Sequence, residues 1–568
     1  MHVPPSSTAP GAEVTAAALR LQQSNVSGIS GLFKNKKVFL IALFASFGGL
    51  EYGYQQGVIS QALVMSRFKA DFPSIVGSSG ATGWLTSILQ LGGWFGALSA
   101  GILAEVFSRK HTILSGALWV ILGSFLCAGA HNGSYLFAGR FFTGIGVGTL
   151  SAVGPLYNAE LAPPEMRGLL VSLQQLSTTV GIMLSYWIGY GTNYIGGTGD
   201  GQSDWAWRTP LIIQGIPAII LALGVVFFLP FSPRMLITKG REEEAFKTLA
   251  YLRGLPEDDV VLRCEYLEIK SEVLFEQRVF AQKFPHLAES GRSIWRRELA
   301  QYANIFRTKD NFKRVAIAGL VMFFQQWSGI DSIIYYASSI FQTLGLTSGT
   351  ISLLATGVVG IINVLATIPA VMIIDKVGRK PLLMAGSVGM FCSMVIVAVI
   401  VAKCQHDWEH NVAAGWAAVA FIWIYIANFG YSWGPASWVL IAEIFPLSIR
   451  AKGTSIGASS NWMNNFIVAF IVPPMIDGIG WGMYLFFAVW LFIGALFIWF
   501  FVPETKNKTL EEMDTVFGSV TASHEQEMFA AARDEVGLTL LLNGNIKSAG
   551  AEDHEGKDLE SSGHLESV

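Results

Sequence analysis

The chain has 568 residues, 52% of them hydrophobic and 14% charged, with a formal net charge of −3 and a mean hydropathy of +0.46. A soluble protein carries roughly a quarter charged residues. The deficit, together with 60 glycines and 38 phenylalanines, excludes an ordinary soluble domain and indicates a polytopic helical membrane protein, with no overall electrostatic pull toward nucleic acid.

Residues 1–37 form a polar tail without the apolar core and cleavage site of a signal peptide, so the first apolar run reads as a retained anchor. Runs of roughly 20 apolar residues, the length that crosses hydrocarbon, fall at 38–60, 82–104, 112–131, 135–158, 169–192 and 209–229. A second group falls at 314–341, 349–374, 381–403, 415–442, 452–473 and 482–502. These runs divide the chain into a six-helix bundle over 38–231, a charge-rich linker with short helices over 232–313, and a second six-helix bundle over 314–503. The tail over 504–568 opens helically at Leu510-Glu511-Glu512-Met513-Asp514 and is otherwise expected to be largely disordered. Cys127, Cys264, Cys392 and Cys404 show no paired spacing, so neither a disulfide framework nor a metal site is expected.

Basic residues sit in alternate loops: Lys34, Lys36 and Lys37, then Arg109-Lys110, Arg167, Lys376 with Arg379-Lys380, and Arg450 with Lys452. The positive-inside rule places both termini and the linker in the cytosol. The two halves also echo each other. Glu105-x-x-x-Arg109-Lys110 after the second span recurs after the eighth as Asp375-x-x-x-Arg379-Lys380. Ala159-Glu160 with Pro163 and Arg167 recurs in the second half as Ala442-Glu443 with Pro446 and Arg450. Repeated halves imply a pseudo-symmetric pair of bundles with a site at their midplane interface.

Polar residues interrupt these runs: Glu51, Arg140, Gln175, Gln325-Gln326, Asp331, Asn363 and Asn461-Trp462-Met463-Asn464-Asn465. Polar side chains are costly in hydrocarbon and face a bundle interior or a watery cavity. Amides both donate and accept hydrogen bonds without adding charge, which suits a neutral, hydroxyl-rich ligand. The alternative, amides as glue between helices, stands for Gln174, Asn464 and Asn363.

In this order, Gly139-Arg140-Phe-Phe-Thr-Gly-Ile-Gly-Val-Gly148, Pro230-Phe-Ser-Pro-Arg234, Gln325-Gln-Trp-Ser-Gly-Ile-Asp331, Asp375-Lys-Val-Gly-Arg-Lys380 and Val502-Pro-Glu-Thr-Lys506 resemble the sugar porter family of the major facilitator superfamily, in its fungal monosaccharide-transporter form. The resemblance runs from about residue 38 to 514. It implies an all-α major facilitator fold of 6+6 transmembrane helices in two pseudo-symmetric bundles, with cytosolic linker helices. It further implies alternating-access transport of a hexose or pentose at the plasma membrane, with no enzymatic activity. Gln175, Gln325, Gln326, Asp331, Asn363, Gly434, Trp438, Asn461 and Asn465 map onto the family's sugar-binding positions.

Helical geometry constrains that set. Asn461 and Asn465 are four apart and share a face. Asp331 lies five and six residues beyond the glutamine pair, roughly 120–140° off their face. A break at Ser328-Gly329 is therefore expected, as in the discontinuous helices of transporters. Trp438 either covers an apolar sugar face or packs as a core aromatic, and Gly434-Pro435 lets its helix bend nearby.

Proton-coupled members of the family carry Asp in a first-span Gly-Tyr-Asp motif, near the arginine of the fourth span. Here the stretch reads Gly53-Tyr54-Gln55-Gln56, and Gln55 cannot titrate. Glu51, one turn before Gln55, Arg140 and Asp331 are the candidates for a displaced coupling site; the alternative for Glu51 is a hydrated residue at the external mouth. Transport is then proton symport through a displaced carboxylate or facilitated diffusion. The family further implies a cytosolic latch of Glu105, Arg109, Glu160, Arg167, Arg234, Asp375, Arg379, Glu443 and Arg450. No cofactor, metal, nucleic acid or obligate protein partner is expected; the partners are a small neutral sugar, protons where transport is coupled, and the bilayer. A sugar sensor on the same scaffold and a polyol transporter are the rival readings. Sensors carry long signalling tails with repeated motifs, and the segment after Pro503 is short and has none.

Overall fold

The structure, a computed structural model, describes residues 36–162, 167–288, 294–346, 348–446, 449–506, 513, 516–517 and 522–542. The first half comprises α1 (Lys36–Ala62), α2 (Ser79–Val106), α3 (Arg109–Ala128), α4 (Gly133–Leu161), α5 (Arg167–Thr192) and α6 (Trp205–Phe227, irregular at Gln214). Polar side chains start several of these helices by accepting from otherwise unpaired N–H groups: Ser78 for α2, Ser108 for α3 and Asn132 for α4. Asn132, the first residue of a glycosylation sequon, thus spends its side chain as a cap.

The linker folds into α7 (Pro233–Thr238), α8 (Glu242–Arg253), α9 (Val260–Lys283) and α10 (Ile294–Ile305). Leu236, Ala245, Leu249, Leu262 and Ile269 give α7–α9 a small core of their own. The second half comprises α11 (Lys309–Trp327), α12 (Ile330–Thr343), α13 (Gly349–Val377), α14 (Arg379–Cys404), α15 (Val412–Tyr431), α16 (Trp433–Glu443), α17 (Arg450–Ile479) and α18 (Gly482–Phe501).

Among the described residues, nine spans are long and apolar enough to cross a membrane. The three positions that complete each set of six are α1, α5 and the α11–α12 pair. These carry Glu51, Gln55, Gln56, Gln174, Gln175, Gln325, Gln326 and Asp331, so their low hydropathy marks the polar seam. Phe95, Leu118, Leu122, Phe227, Phe500 and Phe501 are exposed on the outer surface, as a hydrocarbon solvent requires.

Glycine sets the closest approaches. A Cβ at Gly53 of α1 would lie 1.8 Å from the Thr178 carbonyl oxygen of α5, and one at Gly148 of α4 would lie 2.0 Å from the Gly93 oxygen of α2. The glycine-rich run after Arg140 is thus a packing seam of the kind small residues give membrane helices. The halves meet along α2 with α17 and along α5 with α13. These two seams are related by the internal repeat, since α2 corresponds to α13 and α5 to α17. Beyond them, α12 closes against α1 on the face opposite the linker.

The expected break is present. α11 stops at Trp327, Gly329 takes φ +90°, and α12 starts at Ile330. The expected continuous span over 415–442 is instead two helices, interrupted at Ser432 (φ −120°, ψ −89°), two residues before Gly434. The Ser432 hydroxyl turns back onto the Asn428 carbonyl at 2.5 Å, a local bond that competes with helix continuation.

The tail also differs from expectation. Residues 522–535 form a helix, α19, laid against α9. Phe529 meets Phe275 edge-on at 5.3 Å between centroids, Lys283 pairs with Glu525 at 2.7 Å and Arg278 pairs with Glu535. Leu538 and Leu542 then cover Cys264. Met513 and Phe517 are buried against the second half, where Phe517 lies under the Arg314 guanidinium. Polar composition suggested disorder here; alternate apolar residues matched to α9 give this stretch a partner. The N-terminal tail up to residue 35 lies outside the described residues, as do most of the helical opening at 510–514 and residues 543–568, the end of the tail expected to be disordered.

Candidate substrate site

The break at Gly329 organises the site. It lets α11 end with Gln325 and Gln326 turned inward while α12 begins with Asp331 aimed at the same cavity. That cavity is about 50 Å³ and is lined by Tyr52 and Gln56 of α1, by Gln175, Thr178, Thr179 and Ile182 of α5, and by Gln325, Gln326, Ile330, Asp331 and Ile334. Asn363 and Thr367 of α13, Phe429 and Gly430 of α15, Gly434 and Trp438 of α16, and Asn461 of α17 complete it.

The amides are held to different degrees. Gln325 donates to the Trp433 carbonyl at 2.8 Å and accepts from Asn461 Nδ2 at 2.6 Å. Both of its polar atoms are therefore bound within the protein. Gln326, beside it, leaves its carbonyl oxygen Oε1 buried without a partner, while the residue lies within hydrogen-bonding reach of Asp331. A buried unpaired acceptor costs about 1–3 kcal/mol, so Gln326 is poised for a donor that enters the cavity.

Eight of the nine sequence-derived sugar positions line this one cavity. Asn465 does not. It stands behind Asp331, donating to Asp331 Oδ2 at 2.7 Å and accepting from the Tyr335 hydroxyl at 3.1 Å, and so positions the acid. Asn464 ties helices together, accepting from Trp327 Nε1 at 2.9 Å. Sequence reasoning passed over Tyr52, Gln56, Thr178, Thr179 and Thr367. Helical spacing was the available signal: Gln56 lies four after Tyr52, Thr178 and Thr179 lie three and four after Gln175, and Thr367 lies four after Asn363.

The coupling candidates occupy two places. Glu51 and Arg140 share Gln55: its Nε2 donates to Glu51 Oε1 at 3.0 Å, and its backbone carbonyl accepts from Arg140 Nη1 at 3.3 Å. Both side chains are buried, so the hydrated, external position considered for Glu51 does not hold; the packing of α1 against α5 and α4 encloses it. Asp331 lies apart, on the cavity wall.

On the linker face the latch residues form matching pairs. Arg109 reaches Glu160 at 3.0 Å and the Ala104 carbonyl at 3.1 Å. Arg379, its counterpart in the second half, reaches Glu443 at 2.6 Å and the Ile374 carbonyl at 3.3 Å. The sequence repeat is thus a repeat of geometry. Glu443 also accepts from Thr505, and Glu504 accepts from the N–H groups of Arg379 and Lys380 at the start of α14. Arg234 goes to the linker acids Glu272 and Glu276 at 2.5 and 2.6 Å, partners the sequence did not single out. Burial raises the Glu276 carboxyl above its ordinary range, against the opposing pull of Arg234. Glu105 adds its field to Arg109, and Arg450 reaches the Phe445 carbonyl at 3.4 Å. The Arg167 and Asp375 side chains lie outside the described residues.

The family model for sugar (and other) transporters matches residues 41–517. The chain belongs to the sugar porter family of the major facilitator superfamily. It is a multi-pass membrane protein of a family of transporters, not of enzymes. Among its curated relatives, the probable quinate permease of Aspergillus niger is 32% identical, aligned over 88% of this chain and 92% of its own length. The quinate permease of Emericella nidulans is 31% identical over 86% and 90%. The major facilitator-type transporter ecdD of Aspergillus rugulosus is 34% identical over 86% and 88%. Among solved sugar porters, the E. coli xylose transporter XylE in a partially occluded inward-open conformation superposes with a TM-score of 0.66 at 27% identity. That match covers 84% of this chain and all of XylE. The same proton:xylose symporter bound to 6-bromo-6-deoxy-D-glucose gives 0.67 at 28%, over 85% and 99%.

Proposed function

We propose that this sugar porter carries a neutral monosaccharide, a hexose or pentose, through the cavity between its halves by alternating access. The observation that carries this reading is the chemistry of the lining. Gln56, Gln175, Gln325, Gln326, Asn363 and Asn461 supply amides, Thr178, Thr179 and Thr367 supply hydroxyls, and Tyr52, Phe429 and Trp438 supply aromatic surface. Each pyranose hydroxyl needs both a donor and an acceptor once it leaves water, and amides answer both needs.

The relatives named quinate permease favour a second reading, a cyclic polyol bearing a carboxylate. The lining argues against it. Its one charged residue is the acid Asp331, and no Lys, Arg or His is among the lining residues. A bound carboxylate there would have no counter-ion.

In this mechanism the bundles over 38–231 and 314–503 rock about the site, which Gln175, Gln325, Gln326, Asp331, Asn363, Gly434, Trp438 and Asn461 line and Asn465 supports. Arg109–Glu160 and Arg379–Glu443, with the remaining latch residues, bias the exchange between states. The basic loops support a linker face and both termini on the cytosolic side, and the plasma membrane is the location that goes with this reading. Transport is proton symport through a displaced carboxylate or facilitated diffusion.

The test is uptake of labelled hexoses and pentoses in a yeast lacking its hexose carriers, with unlabelled neutral sugars and quinate as competitors. Saturable uptake displaced by neutral sugars supports the reading. Stronger displacement by quinate than by any neutral sugar, or no uptake at all, refutes it.

A further inference from the structure

Within the bundle core, the acid Glu51 and the base Arg140 share Gln55, as described above. The second acid, Asp331, lies apart from both, on the cavity wall. It is buried, and its hydrogen-bonding neighbours are the amides of Asn465 and Gln326. The titratable groups facing it are phenols: Tyr52 from α1, Tyr186 from α5, Tyr335 from its own helix and Tyr425 from α15. Arg140 faces Cys127, Tyr335 and Tyr336. Arg140 bonds the Gln55 backbone rather than either carboxylate, so what separates the two acids is access: Asp331 lines the cavity and Glu51 does not. An uncompensated charge at membrane depth is neutralised by binding a proton.

A path leads from Asp331 to the seam that closes the far face. Asn465 donates to the carboxylate and accepts from the Tyr335 hydroxyl. Tyr335 accepts from Gln56 Nε2 of the first half at 3.4 Å. Gln90 of α2, its amide turned so that the nitrogen donates to the Thr86 and Ser87 carbonyls, offers its oxygen to the same hydroxyl at 2.8 Å. The single Tyr335 proton therefore has two rival acceptors, Asn465 Oδ1 in the second half and Gln90 Oε1 in the first. A protonated Asp331 can itself donate to Asn465 Oδ1. That frees the Tyr335 proton for Gln90 and draws α12 onto the first half.

The geometry points to Asp331 as the residue that carries the coupled proton, with Asn465 and Tyr335 passing its charge state to the α12 closure; this rests on the transport of a neutral sugar proposed above. The proton arrives from hydronium on the side to which the cavity is open, resides on a carboxylate oxygen while both sides are closed, and leaves to water on the other side. A carboxylate in the first turn beyond the Gly329 break thus takes over the task that Gln55 cannot perform.

The experiment measures protons taken up per sugar in intact yeast, from alkalinisation of the medium and labelled uptake on the same cells, beside sugar counterflow. The parent protein takes up about one proton per sugar. Asp331→Asn still exchanges sugar in counterflow, at reduced rate, but the ratio falls to about zero and accumulation falls at least about tenfold. Glu51→Gln keeps the ratio near one, whatever its rate. Should Asp331→Asn fail to reach the surface, Asp331→Glu decides: it keeps the ratio but shifts the external-pH midpoint of sugar affinity, whereas a bystander acid leaves the midpoint in place. Alkalinisation that persists in Asp331→Asn overturns the assignment, as does counterflow without alkalinisation in the parent. Absence of counterflow for every neutral sugar in the parent removes the substrate reading beneath it.

Discussion

Asn461 donates to Gln325 at 2.6 Å while Gln325 donates to the Trp433 carbonyl at 2.8 Å, so one amide ties α17, α11 and α16 at the cavity wall. Gln326, next in sequence, leaves its oxygen unpartnered. The two glutamines are therefore expected to fail differently when truncated. Gln326→Ala removes a neighbour of Asp331 along with contacts to substrate, ties no helices together, and raises KM roughly tenfold, the equivalent of about 1.4 kcal/mol, with the amount of folded protein unchanged. Gln325→Ala strands the Trp433 carbonyl and the Asn461 amide and lowers the folded yield as well. Uptake kinetics alongside size-exclusion profiles separate the two; equal profiles together with equal KM values contradict the distinction.

The paired arginines on the linker face make a second prediction. Arg109–Glu160 and Arg379–Glu443 are equivalent under the repeat, and each is partly buried. Each pair is worth about 1 kcal/mol at most where solvent reaches it, but such a term shifts a two-state balance several-fold. Glu160→Gln and Glu443→Gln should each lower uptake by roughly threefold to tenfold with surface expression retained. Unaltered uptake in both variants means the pairs only enforce topology.

Gly329 carries a third. Its φ of +90° lies in the left-handed region, and a Cβ there would stand 2.6 Å from Phe487 Cγ. Gly329→Ala adds about 1–2 kcal/mol of backbone strain to that clash and misaims Asp331 relative to Gln325. Detergent-purified variant should melt at least about 3 °C lower, with weaker sugar competition. An unchanged melting temperature would show that the break tolerates a side chain.

Much of this architecture was legible because membrane helices obey few rules. The length of hydrocarbon fixes the spans, and the six-plus-six pattern follows from the runs alone. The break at Gly329 was legible too, since an unbroken helix could not aim Asp331 and the glutamine pair at one ligand. What stayed hidden depends on partners remote in sequence. Asn465 shares a face with Asn461 yet stands behind Asp331, because Tyr335, far away in the chain, occupies its carbonyl. The motif put Arg234 with the latch, and it does lie in the field of Glu160, but its direct partners, Glu272 and Glu276 of α9, were not legible. The interruption at Ser432 precedes the glycine and proline that suggested it, because a hydroxyl bond to Asn428 ends α15 first.

The tail helix gives the last prediction. Phe529, Met528 and Ala532 of α19 pack on Phe275 and Val279 of α9, and the following turn brings Leu538 and Leu542 over Cys264. Composition alone gave α19 no reason to stay in place; the apolar contacts, with the Lys283–Glu525 and Arg278–Glu535 pairs at its rim, give it one. Removing residues 522–568 should therefore expose the Cys264 thiol. With Cys127, Cys392 and Cys404 replaced by Ala, a membrane-permeant maleimide is expected to modify Cys264 at least roughly tenfold faster in the truncated protein than in the full chain, since a site under a docked segment reacts only when that segment opens. Phe529→Ala should fall between the two, because it weakens the contact without deleting it. Equal labelling rates in all three proteins would mean that α19 does not hold to α9 in the membrane, and that the tail contributes nothing to the linker's structure.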